Sequence, residues 1–280
     1  MTETHRRKAV VLGVDGSSAS HTALLFALEE ARRRELPVRL IHALDGRPSD
    51  GGDDDEHPSV LDSALADARC DAPDIAISGA APAAAPAAAL IEAALDAELL
   101  VVGSRGVGGF RGLLLGSVSS QVAAHARCPV VVVRDSRRHR PAAGVIVGVD
   151  GSDTSDAAVA FAFEAAALRG IGLTAVHAFG AVGVSDEAVT PEPRRLAAEE
   201  SRILTDSLVG WQQKYPDVEV TARLVRGHPA WALAGESVDG RLLVVGTRGR
   251  GGFAGLFLGS VSQAVLHHAA CPVAVVPRRP

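Results

Sequence analysis

The feature that most constrains the fold is a long internal repeat. The segment AVVLGVDGS at Ala9–Ser17 returns as GVIVGVDGS at Gly144–Ser152. The segment LLVVGSRG at Leu99–Gly106 returns as LLVVGTRG at Leu242–Gly249. The copies are offset by 135 residues at the first motif and by 143 at the second, so the second copy carries a net insertion between them. A period of this length is that of a whole domain rather than of a solenoid repeat.

The repeat therefore divides the chain into two domains. A length of 280 residues suits two domains of ordinary size. We expect the first domain at 1–136 and the second at 144–280. The polar stretch 137–143 between them is rich in arginine and contains a proline, as exposed connectors often do, and is predicted to be a linker.

Each copy alternates apolar runs with helical patterns. Hydrophobic residues make up 47% of the chain and aromatic residues only 4%, so the core must be aliphatic. In the first copy we predict a strand over 9–14, a helix ended by Pro37, a strand over 38–44 and an alanine-rich helix over 86–97. Such alternation predicts an α/β fold with a parallel, doubly wound sheet.

Composition also narrows the classes of partner. The net charge of -5 does not indicate a basic face that could bind nucleic acid. The start is polar, and no apolar run approaches the roughly 20 residues that span a bilayer. Cys70, Cys128 and Cys271 form neither a disulfide framework nor a metal-ligand spacing, which favours reduced thiols. We therefore expect a cytoplasmic protein with no membrane span and no nucleic-acid partner.

Two glycine-containing segments are expected to meet at one edge of each sheet. Ligands of open α/β sheets bind beyond the carboxyl ends of the strands. There the segment Gly13–Gly16 follows strand one, and a glycine-rich loop follows strand four. The loop has the spacing G-x2-G-x9-G-S from Gly103 to Ser117, and the same spacing recurs from Gly246 to Ser260. Glycines allow a backbone to approach a phosphate closely and to reach positive φ, and a helix opening at the end of the loop favours an anion.

Polar side chains in the loop fit the same ligand. The hydroxyls of Ser117 and Ser119 could donate to phosphate oxygens, and Arg105 and Arg248 offer planar donor forks. The loop is not a Walker A motif, because no lysine precedes its final serine. It is not the dinucleotide fingerprint either, because it follows the fourth strand rather than the first.

The pairing of Val-Asp-Gly-Ser after strand one with G-x2-G-x9-G-S before the last helix resembles the universal stress protein family, in its tandem-domain ATP-binding form. The resemblance covers both halves almost end to end. It implies two tandem copies of a five-stranded, doubly wound, Rossmann-like nucleotide-binding domain. It also implies one ATP per domain, two per chain, and a regulatory role in stress or growth control rather than enzyme activity beyond very slow ATP hydrolysis. A homodimer and an unknown protein partner are further expectations.

The resemblance also implies the site residues. Asp15 and Asp150 match the family's aspartate near the nucleotide, where a nucleotide-bound Mg²⁺ could lie. The first site is implied to comprise Gly13, Val14, Asp15, His42, Ala43, Val102, Gly103, Arg105, Gly106, Val107, Gly108, Gly109, Gly116, Ser117, Val118 and Ser119. The second is implied to comprise Gly148, Val149, Asp150, His177, Ala178, Val245, Gly246, Arg248, Gly249, Arg250, Gly251, Gly252, Gly259, Ser260, Val261 and Ser262.

Several alternatives stay open at this point. Asp15 and Asp150 could simply cap the turn that follows them, and His42 and His177 could be ordinary strand histidines. The ligand could be AMP or cyclic AMP rather than ATP. The chain could also be a slow ATPase or phosphoryl-transfer enzyme, or an interaction module without a nucleotide. The copies diverge most at 180–193 and at 226–229, where function is least expected.

Overall fold

A computed structural model describes residues 8–44, 59–107, 115–134, 144–180, 191–250 and 257–278, without the side chains of 191–194. The chain divides into two compact units, Met1–Asp135 and Ser136–Pro280. Within the described part, no helix is both long enough and apolar enough to cross a membrane.

The first unit is a parallel sheet with helices between its strands. The strands are β1 (Ala9–Gly13), β2 (Val38–Ile41), β3 (Ile77–Ala80), β4 (Ala97–Gly103) and β5 (Val130–Val133). The helices are α1 (Ser18–Arg34), α2 (Val60–Asp71), α3 (Pro86–Ala93) and α4 (Ser117–His125). The strand order is β3-β2-β1-β4-β5, and every pairing is parallel.

The second unit repeats this arrangement. Its strands are β6 (Val145–Gly148), β7 (Leu173–Phe179), β8 (Val220–Arg226), β9 (Leu242–Gly246) and β10 (Val273–Val276). Its helices are α5 (Asp153–Arg169), α6 (Pro191–Lys214), α7 (Pro229–Glu236) and α8 (Ser260–His268). The order β8-β7-β6-β9-β10 is again all parallel. The prediction of two five-stranded, doubly wound α/β units is confirmed.

Aliphatic side chains hold each sheet between its helices. In β1, Val10, Val11 and Leu12 are all fully buried. Helix α1 contacts β1 and β4 and packs beside α2, while α3 packs beside α4. A central strand covered on both faces needs a continuous apolar run rather than an alternating one, which is what β1 has.

Some predicted boundaries are wrong. Helix α1 ends at Arg34, because Glu35 takes a left-handed conformation with φ 53 and its N–H caps the carbonyls of the last turn. The helix therefore stops before Pro37. Strand β2 ends at Ile41, which pairs with Gly13 and Ala80, the last residues of the neighbouring strands. Helix α3 ends at Ala93, and a single 3-10 turn over 94–96 leads into β4.

Candidate functional site

Each unit contains a cavity at the carboxyl ends of its central strands. In the first unit the chain runs from β1 outward to β2 and β3, then returns to β4 on the other side of β1. The crevice between the ends of β1 and β4 is the topological switch point at which open α/β sheets bind ligands. The cavities measure about 540 Å³ in the first unit and about 620 Å³ in the second, within the size range of small-molecule sites.

The residues predicted for each site come together around these cavities. The first cavity is lined by Gly13, Val14, Asp15, His42, Ala43, Val102, Gly103, Arg105, Gly106, Val107, Gly116, Ser117, Val118 and Ser119. The second is lined by Gly148, Val149, Asp150, His177, Ala178, Val245, Gly246, Arg248, Gly249, Arg250, Gly259, Ser260, Val261 and Ser262. Four further predicted residues, Gly108, Gly109, Gly251 and Gly252, lie outside the described residues.

Asp15 joins the two loops that border the first cavity. Its Oδ1 accepts hydrogen bonds from the backbone N–H of Ser17 at 3.0 Å and from the Ser17 hydroxyl at 2.6 Å. Its Oδ2 accepts the backbone N–H of Val107 at 2.9 Å. The carboxylate therefore fastens the turn after β1 to the loop after β4. The turn-capping alternative describes the Oδ1 contacts, whereas the bond from Oδ2 to the second loop could not be foreseen from the sequence.

Asp150 makes the same contacts in the second unit. Its Oδ1 accepts from the N–H and hydroxyl of Ser152 at 3.0 and 2.6 Å, and its Oδ2 accepts the N–H of Arg250 at 3.0 Å. Hydrogen bonds to a charged acceptor are stronger than those between neutral groups. We call each of these carboxylates, together with its three donors, the Asp latch. The Asp latch connects the two loops at the mouth of each cavity.

The glycines of the loop serve close packing. A Cβ on Gly103 would lie 2.9 Å from the backbone carbon and oxygen of Ala19, and a Cβ on Gly106 would overlap Oδ2 of Asp15. Gly116 has φ -79, so positive φ is not the reason for a glycine there. Among the described glycines of this site, positive φ occurs at Gly16, with φ 78, in the turn after β1. The expectation that the loop glycines reach positive φ is therefore wrong for those the structure describes.

A pair of glycine substitutions tests this packing in the second unit. A Cβ on Gly246 would lie 2.8 Å from the carbonyl oxygen of Thr154, whereas a Cβ on Gly210 would meet nothing within 4 Å. We expect Gly246→Ala to destabilise the unit by about 1–3 kcal/mol, because a rigid backbone must move. We expect Gly210→Ala, in α6, to stabilise it by about 0.5–1 kcal/mol.

Denaturant unfolding followed by tryptophan fluorescence measures both changes. Trp211 and Trp231 are the only tryptophans in the chain, so the signal reports on the second unit. Equal shifts for the two variants would show that Gly246 is not under packing constraint.

The last helix of each unit opens toward the cavity. Gly116 and Gly259 are the N-cap residues of α4 and α8, and neither helix has a side-chain cap. The N–H groups of the first turn therefore remain available to a ligand. The hydroxyls of Ser117 and Ser260 have no hydrogen-bond partner in the described part of the chain.

The second serine of each motif is used differently. The hydroxyl of Ser119 donates to the carbonyl of Gly103 at 2.7 Å, and that of Ser262 donates to the carbonyl of Gly246 at 2.6 Å. These hydroxyl protons are already engaged, so they fasten the helix to the strand end. The expected donation from Ser119 to phosphate is not available in this arrangement.

Three exposed guanidinium groups stand at the cavity mouths. Arg105 lines the first cavity, and Arg248 and Arg250 line the second. Across the described residues, none of the three guanidinium groups has a hydrogen bond or ion pair. Unpaired guanidinium groups beside open N–H groups favour an anionic ligand.

At the end of the second strand of each unit, a histidine ring contacts the turn that follows the first strand. The ring Nδ1 of His42 lies 2.9 Å from the carbonyl oxygen of Val14, and that of His177 lies 2.6 Å from the carbonyl oxygen of Val149. His177 also contacts Glu200 through Nε2, at 2.6 Å. The strand-histidine alternative therefore describes the contacts that both rings make.

Other lining residues were missed by the sequence reasoning. Some of them are paired by the repeat, which could have revealed them: Ser20 and Ser155, Pro86 and Pro229, and Leu90 and Leu233. Glu200 lines the second cavity from α6, within the region that carries the net insertion, so the repeat gave no signal for it. The expectation that the divergent segments avoid the site is wrong at Gly180 and at Pro229, which both line the second cavity.

The described residues offer little for a metal ion. They contain no group of three or more histidine, cysteine, aspartate or glutamate side chains that could hold one. In the first site, Asp15 is the one carboxylate that lines the described part of the cavity, and its oxygens already accept three hydrogen bonds. A Mg²⁺ ion here would need most of its ligands from a bound phosphate and from water.

Comparison with known proteins identifies the family. The model of the universal stress protein family matches residues 6–134 and again 144–277. A universal stress protein of Mycobacterium tuberculosis H37Rv is 37% identical over 294 residues, with 98% of each chain covered. One from Mycolicibacterium smegmatis is 33% identical over 295 residues, with 100% of each chain covered.

A solved structure supports the fold. The crystal structure of a universal stress protein from Archaeoglobus fulgidus DSM 4304 matches with a TM-score of 0.64 and 21% identity, covering 98% of this chain and 99% of that one. At this identity the likeness speaks for the fold alone. The two family matches and the full-length relatives show that this chain belongs to the universal stress protein family, as a tandem pair of its domains.

Proposed function

We propose that each unit binds one adenine nucleotide, that ATP is the form bound, and that the nucleotide state regulates a response to stress or growth conditions. The observation that carries this proposal is the twin cavity, whose lining at the switch point combines anion-binding groups with aliphatic side chains. The same arrangement occurs in both units with equivalent residues. Two independent copies of one lining favour a shared ligand.

The anion-binding part of the lining suits a chain of phosphates. It combines the helix N-terminus at Gly116 or Gly259 with the hydroxyl of Ser117 or Ser260 and at least one guanidinium group, none of which has a side-chain partner among the described residues. Backbone N–H groups and arginine forks together are a common phosphate-binding set.

The aliphatic part of the lining suits a flat heterocycle. In the first cavity Val102, Leu90 and Pro86 supply aliphatic surface close to the end of β2. In the second, Val245, Leu233 and Pro229 take the same places. A base can pack on such surface while the backbone at Ala43 or Ala178 offers hydrogen bonds to its edge.

Binding rather than turnover is the activity that this residue set supports. Phosphoryl transfer needs charge neutralisation on the transferred group and a positioned water or acceptor. The described site has no lysine among its lining residues. Asp15 and Asp150, which could act on a water, each hold a loop through three hydrogen bonds. We therefore propose that any ATP hydrolysis is very slow and that a bound Mg²⁺ would travel with the nucleotide.

Calorimetric titration of nucleotide-free protein with ATP tests the proposal. We expect two nucleotides per chain, because the described parts of the two linings are made of equivalent residues. Steady-state turnover of the same sample should fall far below the roughly 1–100 per second of typical ATP-using kinases.

Other results would change the assignment. Saturation by AMP or cyclic AMP in place of ATP would identify a different adenine nucleotide as the ligand. Turnover above about one per second, lost when Asp15 and Asp150 are replaced, would favour an enzyme. Absence of any binding would favour an interaction module.

A further inference from the structure

A threonine at the start of α5 bonds to the glycine-rich loop of the second unit. Thr154 is the second residue of α5 and is 8% exposed. Its hydroxyl donates a hydrogen bond to the backbone carbonyl of Arg248, 94 residues away in the chain. The hydroxyl of Ser152 lies 3.1 Å from the same oxygen, but its proton goes to Asp150. The Thr154 proton is therefore used to hold the loop rather than a carbonyl of its own helix, where threonine hydroxyls often bond.

The bond from Thr154 and the Asp latch together hold the loop on both sides of Gly249. The peptide group that joins Arg248 to Gly249 is held through its carbonyl by Thr154. The next peptide group, which joins Gly249 to Arg250, is held through its N–H by Oδ2 of Asp150 at 3.0 Å. A Cβ on Gly249 would overlap the same Oδ2. Contacts within the protein thus set the backbone conformation at Gly249.

This arrangement fixes the direction of one backbone donor. The carbonyl and the N–H of a trans peptide group point in opposite directions, so the N–H of Gly249 points away from Thr154. The nitrogen of Gly249 lies 3.7 Å from the position that a Cβ on Gly259 would occupy, and Gly259 is the N-cap of α8. Among the described residues this N–H has no acceptor. Gly249 also lines the second cavity, so its N–H is a free donor beside the first turn of α8.

The packing of α5 on the strand end does not require the Thr154 hydroxyl. The first unit has Ala19 at the corresponding position. A Cβ on Gly103 would lie 2.9 Å from the backbone oxygen of Ala19, and a Cβ on Gly246 would lie 2.8 Å from that of Thr154. The helix start approaches the strand end equally closely with an alanine and with a threonine. The bond to the loop is therefore separable from the packing.

We infer that Thr154 is a positioning residue of the second site, which orients the Gly249 N–H for a phosphate oxygen before the nucleotide binds. The inference rests on the proposed function, since it concerns how the same site holds its ligand. Neighbouring backbone N–H groups that point to one place form an anion-binding concavity. A donor that is already oriented binds without the cost of ordering its loop. Loss of the Thr154 hydroxyl should therefore weaken ATP binding at the second site about tenfold.

Four single substitutions test this inference in the full chain. Thr154→Val removes the hydroxyl at nearly constant size, and Thr154→Ala installs the residue that the first unit has. Thr154→Ser keeps the hydroxyl. Thr205→Val is the matched control, because the Thr205 hydroxyl bonds within α6, to the carbonyl of Ser201 at 2.9 Å, and Thr205 is not among the described residues that line the second cavity.

Hydrogen exchange measured by mass spectrometry gives two readouts for each protein. Without nucleotide, peptides that contain the amides of Gly249 and Arg250 report how firmly the loop is held. In titrations with ATP, protection of α8 (Ser260–His268) gives the Kd of the second site, and protection of α4 (Ser117–His125) gives that of the first.

We expect Thr154→Val and Thr154→Ala to speed exchange of the loop amides in the nucleotide-free protein. Both should raise the Kd for ATP at the second site about tenfold and leave the first site unchanged. Thr154→Ser and Thr205→Val should bind ATP as the unmodified chain does, because both keep the bond to the Arg248 carbonyl.

Four results would overturn the inference and leave the proposed function standing. They are a second-site Kd that neither Thr154→Val nor Thr154→Ala changes, a Kd raised as much by Thr154→Ser, a rise of the same size at the first site, and a raised Kd without faster exchange of the loop amides. Absence of ATP protection at both sites of the unmodified chain would overturn the proposed function as well.

Discussion

Replacing Asp150 by alanine is expected to weaken ATP binding at the second site about 100-fold while the first site keeps its affinity. The carboxylate accepts three hydrogen bonds, two from Ser152 and one from the N–H of Arg250. Without it, the loop after β9 loses its bond to the turn after β6 and keeps the hydrogen bond that the Thr154 hydroxyl donates to the carbonyl of Arg248. The ligand would then have to order that loop on binding, and the free energy of ordering is subtracted from its affinity.

Two further variants test whether the loss of affinity comes from the hydrogen bonds of Asp150 or from its negative charge. Asp150→Asn keeps the size of the side chain but cannot accept all three hydrogen bonds as a carboxylate does, so it should lose nearly as much affinity. Asp153→Ala removes a neighbouring negative charge whose side chain is 66% exposed and paired with Arg278. Because exposed ion pairs contribute little, this charge-matched control should bind ATP as the unmodified chain does.

Hydrogen exchange measured by mass spectrometry distinguishes the two sites in this experiment. Protection of α4 on addition of ATP reports on the first site, and protection of α8 reports on the second. Equal loss at both sites would show that Asp150 acts on the whole protein rather than on its own cavity. Full retention of ATP binding by Asp150→Ala would show that the latch is dispensable.

Replacing Phe163 by alanine is expected to destabilise the second unit by about 3–5 kcal/mol, the range for large aromatic residues in a core. Phe163 is fully buried on α5. Its ring lies with its centroid 6.0 Å from that of Tyr215 and 6.4 Å from that of Trp211. Tyr215 follows α6 directly and Trp211 lies on it, so the cluster joins α5 to α6. Removing the central ring leaves a cavity that rigid neighbours fill only in part.

Tryptophan fluorescence again follows this unit, and Trp211 lies in the affected cluster. Leu168→Ala, on the same helix but 37% exposed, is the matched control and should change the free energy of unfolding by less than about 1 kcal/mol. If Phe163→Ala changed the free energy of unfolding no more than the control does, the aromatic cluster would not be what stabilises the packing of α6 on α5.

The fold was predictable because three independent patterns agreed. The repeat fixed the number of units, the apolar run at 9–14 indicated a strand buried on both faces, and alternation with helices required parallel strands. Once the sheet is parallel and doubly wound, the switch point is the expected place for a site. The segments around Asp15 and Gly103 therefore had to meet at one edge.

The contacts inside the site were less predictable, because one residue type can meet several needs. A glycine can serve positive φ, close approach to a ligand or packing, and Gly103 serves packing against Ala19. A serine at a helix start can donate to a ligand or to a strand, and Ser119 donates to the carbonyl of Gly103. Glu200 was not predicted at all, because its region carries the net insertion and the sequences of the two copies do not match there. Such choices depend on neighbours distant in sequence.

The Asp latch of the first unit has a consequence for biosynthesis. Asp15 and Val107, which it joins, lie 92 residues apart in the chain, and the described residues that line the first cavity run from Gly13 to Gln121. All of these residues belong to the first unit. Domains generally fold as units, the N-terminal one first during synthesis. On the proposed function, we expect a ribosome-bound chain that has exposed its first unit to bind a nucleotide while the second unit is still being translated.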